Sequence, residues 1–346
     1  MKKQTISSLA DSVIDFRRKK IKKTFFVQIN TLIDWKKISA IINKHYKKGK
    51  SAVGTPSYDG LLLFKMSLLQ IWYGLSDYEI EDRVNDSLSF SYFLGMSIED
   101  VAPDHSTLSR FRTAMTNAGV YELLFKEINA QLESKNIIIK KGVLVDASVV
   151  DTPLKPKGKP TYEVTKDRED EKEIVVKKEF SKSVDTEAAW IKKGGKLHYG
   201  YKKHYVTDEE GLVLGVKTTK ASVNEISNLD EVLDTVDLPE NIPVKADKGY
   251  QSKKNASILK ERKLKNHILK KAKKGKQLSQ WEKRFNKIIG KTRFKVERTF
   301  GSIKKWFNGG VARYRGLAKM HTQNLLEAIC YNLYRSPGII VSNCEK

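Results

Sequence analysis

The sequence has 346 residues, with 65 Lys and Arg against 41 Asp and Glu, which gives a formal net charge of +24 at pH 7. Its 40% hydrophobic content is enough for the cores of two or three domains and excludes a disordered chain. No stretch approaches the roughly 20 apolar residues that cross a bilayer, and the N-terminus lacks the apolar core of a signal peptide. The two cysteines, Cys330 and Cys344, are too few for a disulfide scaffold. We therefore expect a cytoplasmic protein that does not bind membranes.

The positive charge is concentrated in two blocks. Residues 1–50 carry 14 basic and 3 acidic residues, and residues 251–300 carry 18 and 3, so the remaining sequence is close to neutral. Dense positive blocks attract polyphosphates by Coulomb steering and counterion release. The pattern favours a nucleic-acid partner, although a lysine-rich composition that serves solubility would give the same local charge.

The first 140 residues have helical periodicity. Residues 1–50 are interpreted as a basic arm, and residues 51–140 are predicted to form a small all-α domain that binds DNA. Within it, Asp104 and Ser106 are candidate caps of a helix that carries Arg110 and Arg112. The second helix of a helix-turn-helix motif would present Ser106 and both arginines to DNA in this way. A capped helix with ordinary surface arginines fits the pattern equally well.

From residue 141 onwards, strand patterns alternate with helical ones. The predicted elements cover 142–150, 197–208, 211–219, 226–236, 242–247, 252–262, 266–270 and 278–307. Their order, β-β-β-α-β-α-β-α, is that of an RNase H-like mixed sheet. We therefore predict the α/β class, with an RNase H-like domain over 141–337 after the all-α domain and a short tail over 338–346. Residues 152–195, rich in proline and alternating charge, are predicted to be an exposed insertion.

Three carboxylates stand out in this second half. Asp146 lies in the apolar run GVLVDASVV, Asp247 ends the run IPVKAD, and Glu297 lies in the last predicted helix. A carboxylate in a buried strand is costly unless its charge is balanced. Two divalent cations about 4 Å apart can activate an attacking oxygen and stabilise a leaving one, and Mg²⁺ or Mn²⁺ prefers oxygen ligands. The three residues are therefore candidate catalytic and metal-binding groups of a two-metal nuclease site.

The helical pattern around Glu297 is consistent with such a site. One apolar stripe at helical spacing is formed by Val296, Phe300, Ile303 and Phe307. If the stripe packs on the sheet, Glu297 lies at the border of the stripe. Arg293 and Lys304 then share the face of Glu297 and are candidate phosphate contacts. The alternative is an ordinary i to i+4 Arg–Glu pair on a surface helix, which contributes a few tenths of a kcal/mol.

Several motifs occur in a family-specific order over roughly residues 55–335. They are YDGLLLFKMSLLQIWYGLSDYEIEDRV, PDHSTLSRFR, LVDASVVDTP, VKADKGYQS and RFKVERTFGSIKKWF. With these motifs the chain resembles the DDE transposases of bacterial insertion sequences, most closely the insertion-sequence-five family with an InsH-like N-terminal domain. The resemblance implies that Asp146, Asp247 and Glu297 are catalytic. It also places Arg293 and Lys304 at the basic positions of the family's tyrosine-arginine-glutamate-lysine signature.

Two departures from the family pattern concern DNA handling. Gly290 stands where the signature has tyrosine, which leaves one expected DNA contact unfilled. Only 49 residues separate Asp247 from Glu297, too few for the large β-rich insertion of related transposases that form hairpin ends. The cleavage pathway therefore stays open at this point.

The resemblance implies an enzyme that binds the inverted-repeat ends of its mobile element, as a homodimer or higher oligomer on DNA associated with the bacterial nucleoid. With two Mg²⁺ or Mn²⁺ ions it would hydrolyse the phosphodiester there and transfer the 3′-hydroxyl to target DNA. The candidate DNA-binding residues are Arg293, Lys304, Lys202, Arg110, Arg112, Arg313 and Arg315. The alternatives are an inactive or domesticated sequence-specific DNA-binding protein and a general RNase H-like nuclease.

Overall fold

The computed structural model describes residues 25–46, 57–97, 99–157, 161–166, 174–179, 183–272, 275 and 277–344. The first 24 residues of the predicted basic arm and parts of the predicted insertion lie outside the described residues. Within the described part of the chain, none of the helices is both long and apolar enough to cross a membrane.

The N-terminal region is helical, as predicted. Its helices are α1 (Phe25–Leu32), α2 (Trp35–His45), α3 (Gly60–Tyr73), α4 (Asp77–Asp86), α5 (Leu88–Leu94), α6 (His105–Asn117) and α7 (Val120–Ser134). The first two come from the predicted arm, and they bury Ile29 and Ile38 completely. Because these apolar side chains join the core of α3–α7, residues 25–46 belong structurally to the helical region.

Side-chain caps fix the starts of α4 and α6. Asp104 accepts hydrogen bonds from the backbone N–H and the hydroxyl of Thr107 (2.9 and 2.7 Å), so the cap expected at this position is present. Ser76 and Glu79 form a reciprocal capping box at the start of α4. Each cap provides an acceptor for an N–H group of the first turn that has no partner within the helix.

The second half contains a mixed sheet. Its strands are β1 (Val143–Asp151), β4 (Ala189–Lys193), β5 (Lys196–Thr207), β6 (Val213–Lys220), β7 (Pro243–Ala246) and β8 (Lys265–Ile268). The central order is β6-β5-β1-β7-β8, and β4 also pairs with β5. β5 is antiparallel to β1 and β6, whereas β1, β7 and β8 are parallel. This arrangement confirms the predicted RNase H-like fold class.

The predicted insertion contains more regular structure than the sequence indicates. β2 (Thr161–Lys166) and β3 (Ile174–Glu179) form a separate antiparallel pair, and β4 lengthens the main sheet by pairing with β5. Pairing of this kind depends on backbone hydrogen bonds between strands. Such strands can therefore form without the apolar alternation from which a sequence pattern predicts a strand.

The remaining helices are α8 (Leu229–Leu233), α9 (Lys253–Glu261), α10 (Gln280–Trp306) and α11 (Leu317–Cys344). α11 connects the two halves of the molecule. Its backbone carbonyls accept hydrogen bonds from the Trp72 indole on α3 (3.0 Å, at Cys330) and from the Tyr205 hydroxyl on β5 (3.2 Å, at Asn324). One continuous hydrophobic core therefore includes both the helical region and the sheet. α11 also continues through the predicted tail as far as Cys344.

Candidate active site

Strand register brings the first two carboxylates together. In the parallel pair of β1 and β7, Val145 lies opposite Ala246. Asp146 is the next residue of β1 and Asp247 is the first residue after β7, so both lie where β7 ends. Carboxyl ends of strands in open sheets of this kind are common ligand-binding positions.

The third carboxylate comes from α10, as the sequence predicts. The apolar stripe of this helix (Val296, Phe300, Ile303 and Phe307) is buried. Phe300 stacks on Tyr205 of β5 with ring centroids 5.0 Å apart. This packing fixes the rotation of the helix and leaves the Glu297 side chain 63% exposed at the border of the stripe.

A single guanidinium group connects the three carboxylates. Nη1 of Arg293 donates to Oδ1 of Asp247 (3.0 Å), and Nη2 donates to Oδ2 of Asp146 (3.2 Å). Nη2 also lies 3.7 Å from Oε1 of Glu297, one helical turn away on α10. The structure therefore brings Asp146, Asp247 and Glu297 to one place, which we call the carboxylate site.

Asp146 is the most enclosed member of the carboxylate site, with a side chain 20% exposed against 37% for Asp247. Burial raises the pKa of Asp146, and the positive charge of Arg293 opposes this shift. The site thus holds clustered negative charge that a single arginine offsets.

The donor chemistry of this site fits a hard divalent cation, because all three side chains offer carboxylate oxygens. With Arg293 between them, the oxygens surround a guanidinium. Accordingly, no group of three or more acidic, histidine or cysteine side chains in the described part of the chain is placed to share a metal ion in this arrangement. Cation binding by these residues would therefore involve displacement of Arg293 from the oxygens.

Two further side chains, which no sequence motif indicates, lie near the carboxylate site. Glu225 lies on the 3₁₀ turn Glu225–Asn228 after β6, and Tyr250 ends the 3₁₀ turn Lys248–Tyr250 after Asp247. The only sequence signal was positional, an acidic residue shortly after the third central strand and an aromatic residue three positions after Asp247. Without the order of the strands in the sheet, neither sequence position shows that the residue lies near the carboxylate site.

The two arginines predicted on the helix after Asp104 have different surroundings. Arg110 is exposed and donates to the hydroxyls of Ser106 and Thr107 on its own helix. Arg112 is buried and donates to both carboxylate oxygens of Asp77 on α4 (3.0 and 2.7 Å). A DNA contact by Arg112 would require this ion pair to break, whereas Arg110 faces solvent.

The other predicted DNA contacts also differ in exposure. Lys202 is 4% exposed and contacts Glu225 (3.3 Å) and the Val223 carbonyl (2.8 Å). Arg313 donates to the carbonyls of Leu75 and Phe307, and so connects the helical region to the end of α10.

Lys304 and Arg315 complete the predicted set. The pKa of Lys304 is lowered by burial and then by the neighbouring Lys203 and Lys193, so Lys304 is part of a local cluster of positive charge. Arg315 is exposed in the segment before α11. Of the seven predicted contacts, Arg293 is the one that the described contacts place at the carboxylate site itself.

Comparison with protein families gives two matches. The family described as "Transposase DDE domain" matches residues 139–333. The family described as "Transposase domain (DUF772)" matches residues 14–114. The first match contains the whole carboxylate site, and the second covers much of the helical region.

An individual relative shows the same family similarity. The transposase for insertion sequence element IS1106 of Neisseria meningitidis serogroup B is 33% identical over 229 residues, which are 66% of this chain and 76% of that protein. Among solved structures, a piggyBac transposase synaptic complex with hairpin DNA aligns with a TM-score of 0.42 and 10% identity, covering 92% of this chain and 74% of that one.

Proposed function

This chain belongs to the DDE transposase family, and on that premise we propose that its carboxylate site cuts DNA at the ends of a mobile element and joins them to a target. The observation that carries the proposal is the convergence of Asp146, Asp247 and Glu297 on one guanidinium, Arg293. Residues from β1, the end of β7 and α10, separated by up to 151 positions in sequence, meet at the carboxyl end of β7. This is the place in such a sheet where a ligand would bind.

Asp146 and Asp247 would hold two divalent cations, Mg²⁺ or Mn²⁺, and Glu297 would complete the set of oxygen ligands. When bound, such cations neutralise charge that develops on the attacking and leaving oxygens of a phosphodiester. Arg293 would then bind the phosphate group, since a guanidinium matches phosphate oxygens in a bidentate manner. In this role the residue keeps its place on α10 and exchanges carboxylate partners for the substrate.

The surface next to the site is suited to a DNA backbone. Four exposed basic side chains lie on the solvent side of α10 between its start and Arg293, at Lys291, Lys287, Arg284 and Lys283. Such charges would neutralise phosphates and release counterions. We propose that terminal-repeat DNA lies along the solvent side of α10 and reaches the carboxylate site, with Arg110 and Arg315 as further contacts.

We further propose that two or more copies act together on DNA, because joining both ends of one element to a target requires two active sites near each other. The support for this step is family membership. Terminal inverted repeats and target DNA would be the substrates.

The decisive experiment uses the purified full-length chain, duplexes that carry the inverted repeats flanking its gene, and Mg²⁺ or Mn²⁺. We expect nicking at the repeat end and transfer of that end to a second duplex. Asp146→Asn should abolish both reactions while binding to the repeat duplex remains. The control is Glu231→Gln, which alters an exposed carboxylate paired with Lys217, and it should keep full activity.

Other outcomes would change the assignment. Repeat binding without any cleavage under these conditions would favour a DNA-binding protein that has lost catalysis. Equal cleavage of unrelated duplexes or RNA would instead favour a general nuclease. Either result would contradict the proposed function.

A further inference from the structure

Glu225 lies close to the carboxylate site although it is far from the other acidic residues in sequence. A methyl group placed on the Cα of Gly249 would lie 3.6 Å from Oε2 of Glu225 and 3.9 Å from Oδ2 of Asp247. The two oxygens therefore face the same small volume next to Gly249. Glu225 thus adds a fourth carboxylate beside Asp247.

The position of Glu225 is fixed from two directions. Its Oε1 lies 3.3 Å from Nζ of Lys202, which is almost completely buried on β5 and also donates to the Val223 carbonyl. The buried amide of Asn255 donates to the carbonyls of Ile226 (3.1 Å) and Tyr250 (2.7 Å). Asn255 therefore holds the turn that carries Glu225 against the turn that follows Asp247.

Tyr250 provides a second, independent indication of a ligand. Its side chain is 1% exposed, and its hydroxyl has no hydrogen-bond partner among the described residues. Buried polar groups are nearly always hydrogen-bonded, so such a hydroxyl in a native structure requires an explanation. The groups whose charges act on this phenol are Asp146, Glu225 and Asp247, with Arg293 acting in the opposite sense. The unpartnered hydroxyl is therefore within reach of the charges of these carboxylates, and a bound ligand or its water would give it a partner.

The local charges also favour a cation. The four carboxylates Asp146, Asp247, Glu297 and Glu225 contact two positively charged side chains, Arg293 and Lys202. Clustered carboxylates that are only partly balanced favour binding of a divalent ion, because the ion reduces their mutual repulsion.

We propose that Glu225 is a fourth carboxylate of the catalytic centre, held in place by Lys202, and that it strengthens divalent-cation binding at Asp247. The inference rests on the proposed function, because it assumes that Asp146 and Asp247 bind the cations. Lys202 acquires a role different from the predicted DNA contact, since it positions Glu225. Tyr250 would donate its hydroxyl to the ligands that fill this volume.

The test measures Mn²⁺ and Mg²⁺ binding to the full-length protein by calorimetry without DNA, so that the readout is independent of cleavage. Glu225→Gln keeps an oxygen for Lys202 but removes the negative charge. We expect the affinity for Mn²⁺ to fall about tenfold, as is typical when a supporting group of a metal site is changed. Glu231→Gln, the matched Glu–Lys pair on the neighbouring α8, should bind Mn²⁺ as the wild type does.

A second variant does not depend on Glu225 tolerating substitution. Gly249→Ala adds a methyl group at ordinary contact distance from both oxygens, so it should fold normally and occupy the volume between them. We expect this variant also to weaken Mn²⁺ binding. Wild-type affinity in both Glu225→Gln and Gly249→Ala would overturn the inference.

Asp247→Asn separates this inference from the proposed function. If Asp247→Asn weakens Mn²⁺ binding and the Glu225 and Gly249 variants do not, the proposed function stands and the fourth carboxylate is rejected. If Asp247→Asn binds Mn²⁺ as tightly as the wild type, the proposed metal site itself is contradicted, and the inference falls with it.

Discussion

Nη1 of Arg293 donates a 3.0 Å hydrogen bond to Oδ1 of Asp247. An arginine of α10 therefore occupies a carboxylate oxygen that we propose to bind a divalent cation. The same guanidinium contacts Asp146 and Glu297. It therefore supplies the positive charge that the carboxylates require when cation and DNA are not bound. Cation binding would release Arg293 for a phosphate, which couples metal binding to substrate binding through one side chain.

Removal of this guanidinium should destabilise the metal-free protein. Arg293→Gln leaves Asp146 enclosed without its counter-charge, which costs about 1–3 kcal/mol for a buried charged group that loses its partner. Urea unfolding at pH 7 with a chelator measures the loss. Asp146→Asn in the same chain should recover most of it, because no unpaired charge then remains. Equal stability of Arg293→Gln and the wild type would contradict this account of the site.

Arg110 and Arg112, two residues apart on α6, should have separable roles. Arg110→Ala should weaken DNA binding and reduce the slope of log affinity against log salt concentration by about one. The melting temperature should not change. Arg112→Ala should instead lower the free energy of unfolding by about 1–3 kcal/mol, because Asp77 loses its partner. Salt-dependent DNA binding and thermal unfolding of both variants check this. Loss of DNA affinity in Arg112→Ala at unchanged stability would contradict the assignment.

The buried ion pair of Lys203 and Glu327 should be a strong determinant of stability. Both side chains are fully buried, and Nζ of Lys203 lies 2.6 Å from Oε2 of Glu327. Lys203→Met should cost about 3–5 kcal/mol because it leaves a buried carboxylate unpaired, and Lys203→Met with Glu327→Leu should recover much of this. Lys217→Met, in the exposed pair with Glu231, should change stability by at most about 1 kcal/mol. Urea unfolding distinguishes these cases, and a single variant more stable than the double variant would refute the prediction.

Asp208 should make stability depend on pH. Burial raises its pKa from 3.8 to about 6, although the N–H groups of Leu212 and Glu210 donate to its carboxylate and oppose the shift. Because the folded state holds the proton of Asp208 more tightly than the unfolded state does, the protonated carboxyl contributes to the free energy of unfolding. This contribution is fully present below about pH 4. It is lost as the pH rises to about 6, and amounts to about 3 kcal/mol at 1.36 kcal/mol per unit of pKa.

Asp208→Asn should therefore flatten the fall in unfolding free energy between pH 4 and pH 6, since Oδ1 can still accept from both N–H groups. Denaturant unfolding across this range is the measurement. The exposed Asp237→Asn serves as the control and should follow the wild-type curve. A curve for Asp208→Asn that runs parallel to the wild type would rule out Asp208 as the source.

Gly290 should accept the tyrosine of the family signature. It lies exposed within α10, and a Cβ atom added there would meet no atom of the other described elements within 4 Å. Gly290→Ala should raise stability by about 0.5–1 kcal/mol, because glycine is unfavourable inside a helix. Gly290→Tyr should increase affinity for terminal-repeat DNA. Gly301→Tyr, at a second open glycine of the same helix, should not, and equal effects at both positions would argue against a specific contact at 290.

Local sequence patterns accounted for much of the fold because they reflect local physics. The apolar run that predicts a buried strand over 142–150 corresponds to β1, and the apolar stripe of the last predicted helix is the buried side of α10. The same patterns placed Asp146 within a strand, Asp247 at a strand end and Glu297 beside a buried stripe. Residues 152–195 were harder to interpret because strand pairing there depends on backbone partners distant in sequence.

The sequence by itself determined most of the elements and the local setting of three carboxylates, one in a strand, one at a strand end and one on a helix, since periodicity, capping and strand ends are properties of neighbouring residues. Only the tertiary structure decided which basic side chains are available to a substrate. Arg110 and Arg112 look alike in sequence, and so do Lys202 and its lysine neighbours, until the packing of α4 and the turn after β6 buries some of them against acids. The approach of Glu225 to Asp247 likewise arises from the order β6-β5-β1-β7-β8 and from Asn255. Such long-range contacts depend on how elements pack, and no local pattern encodes that.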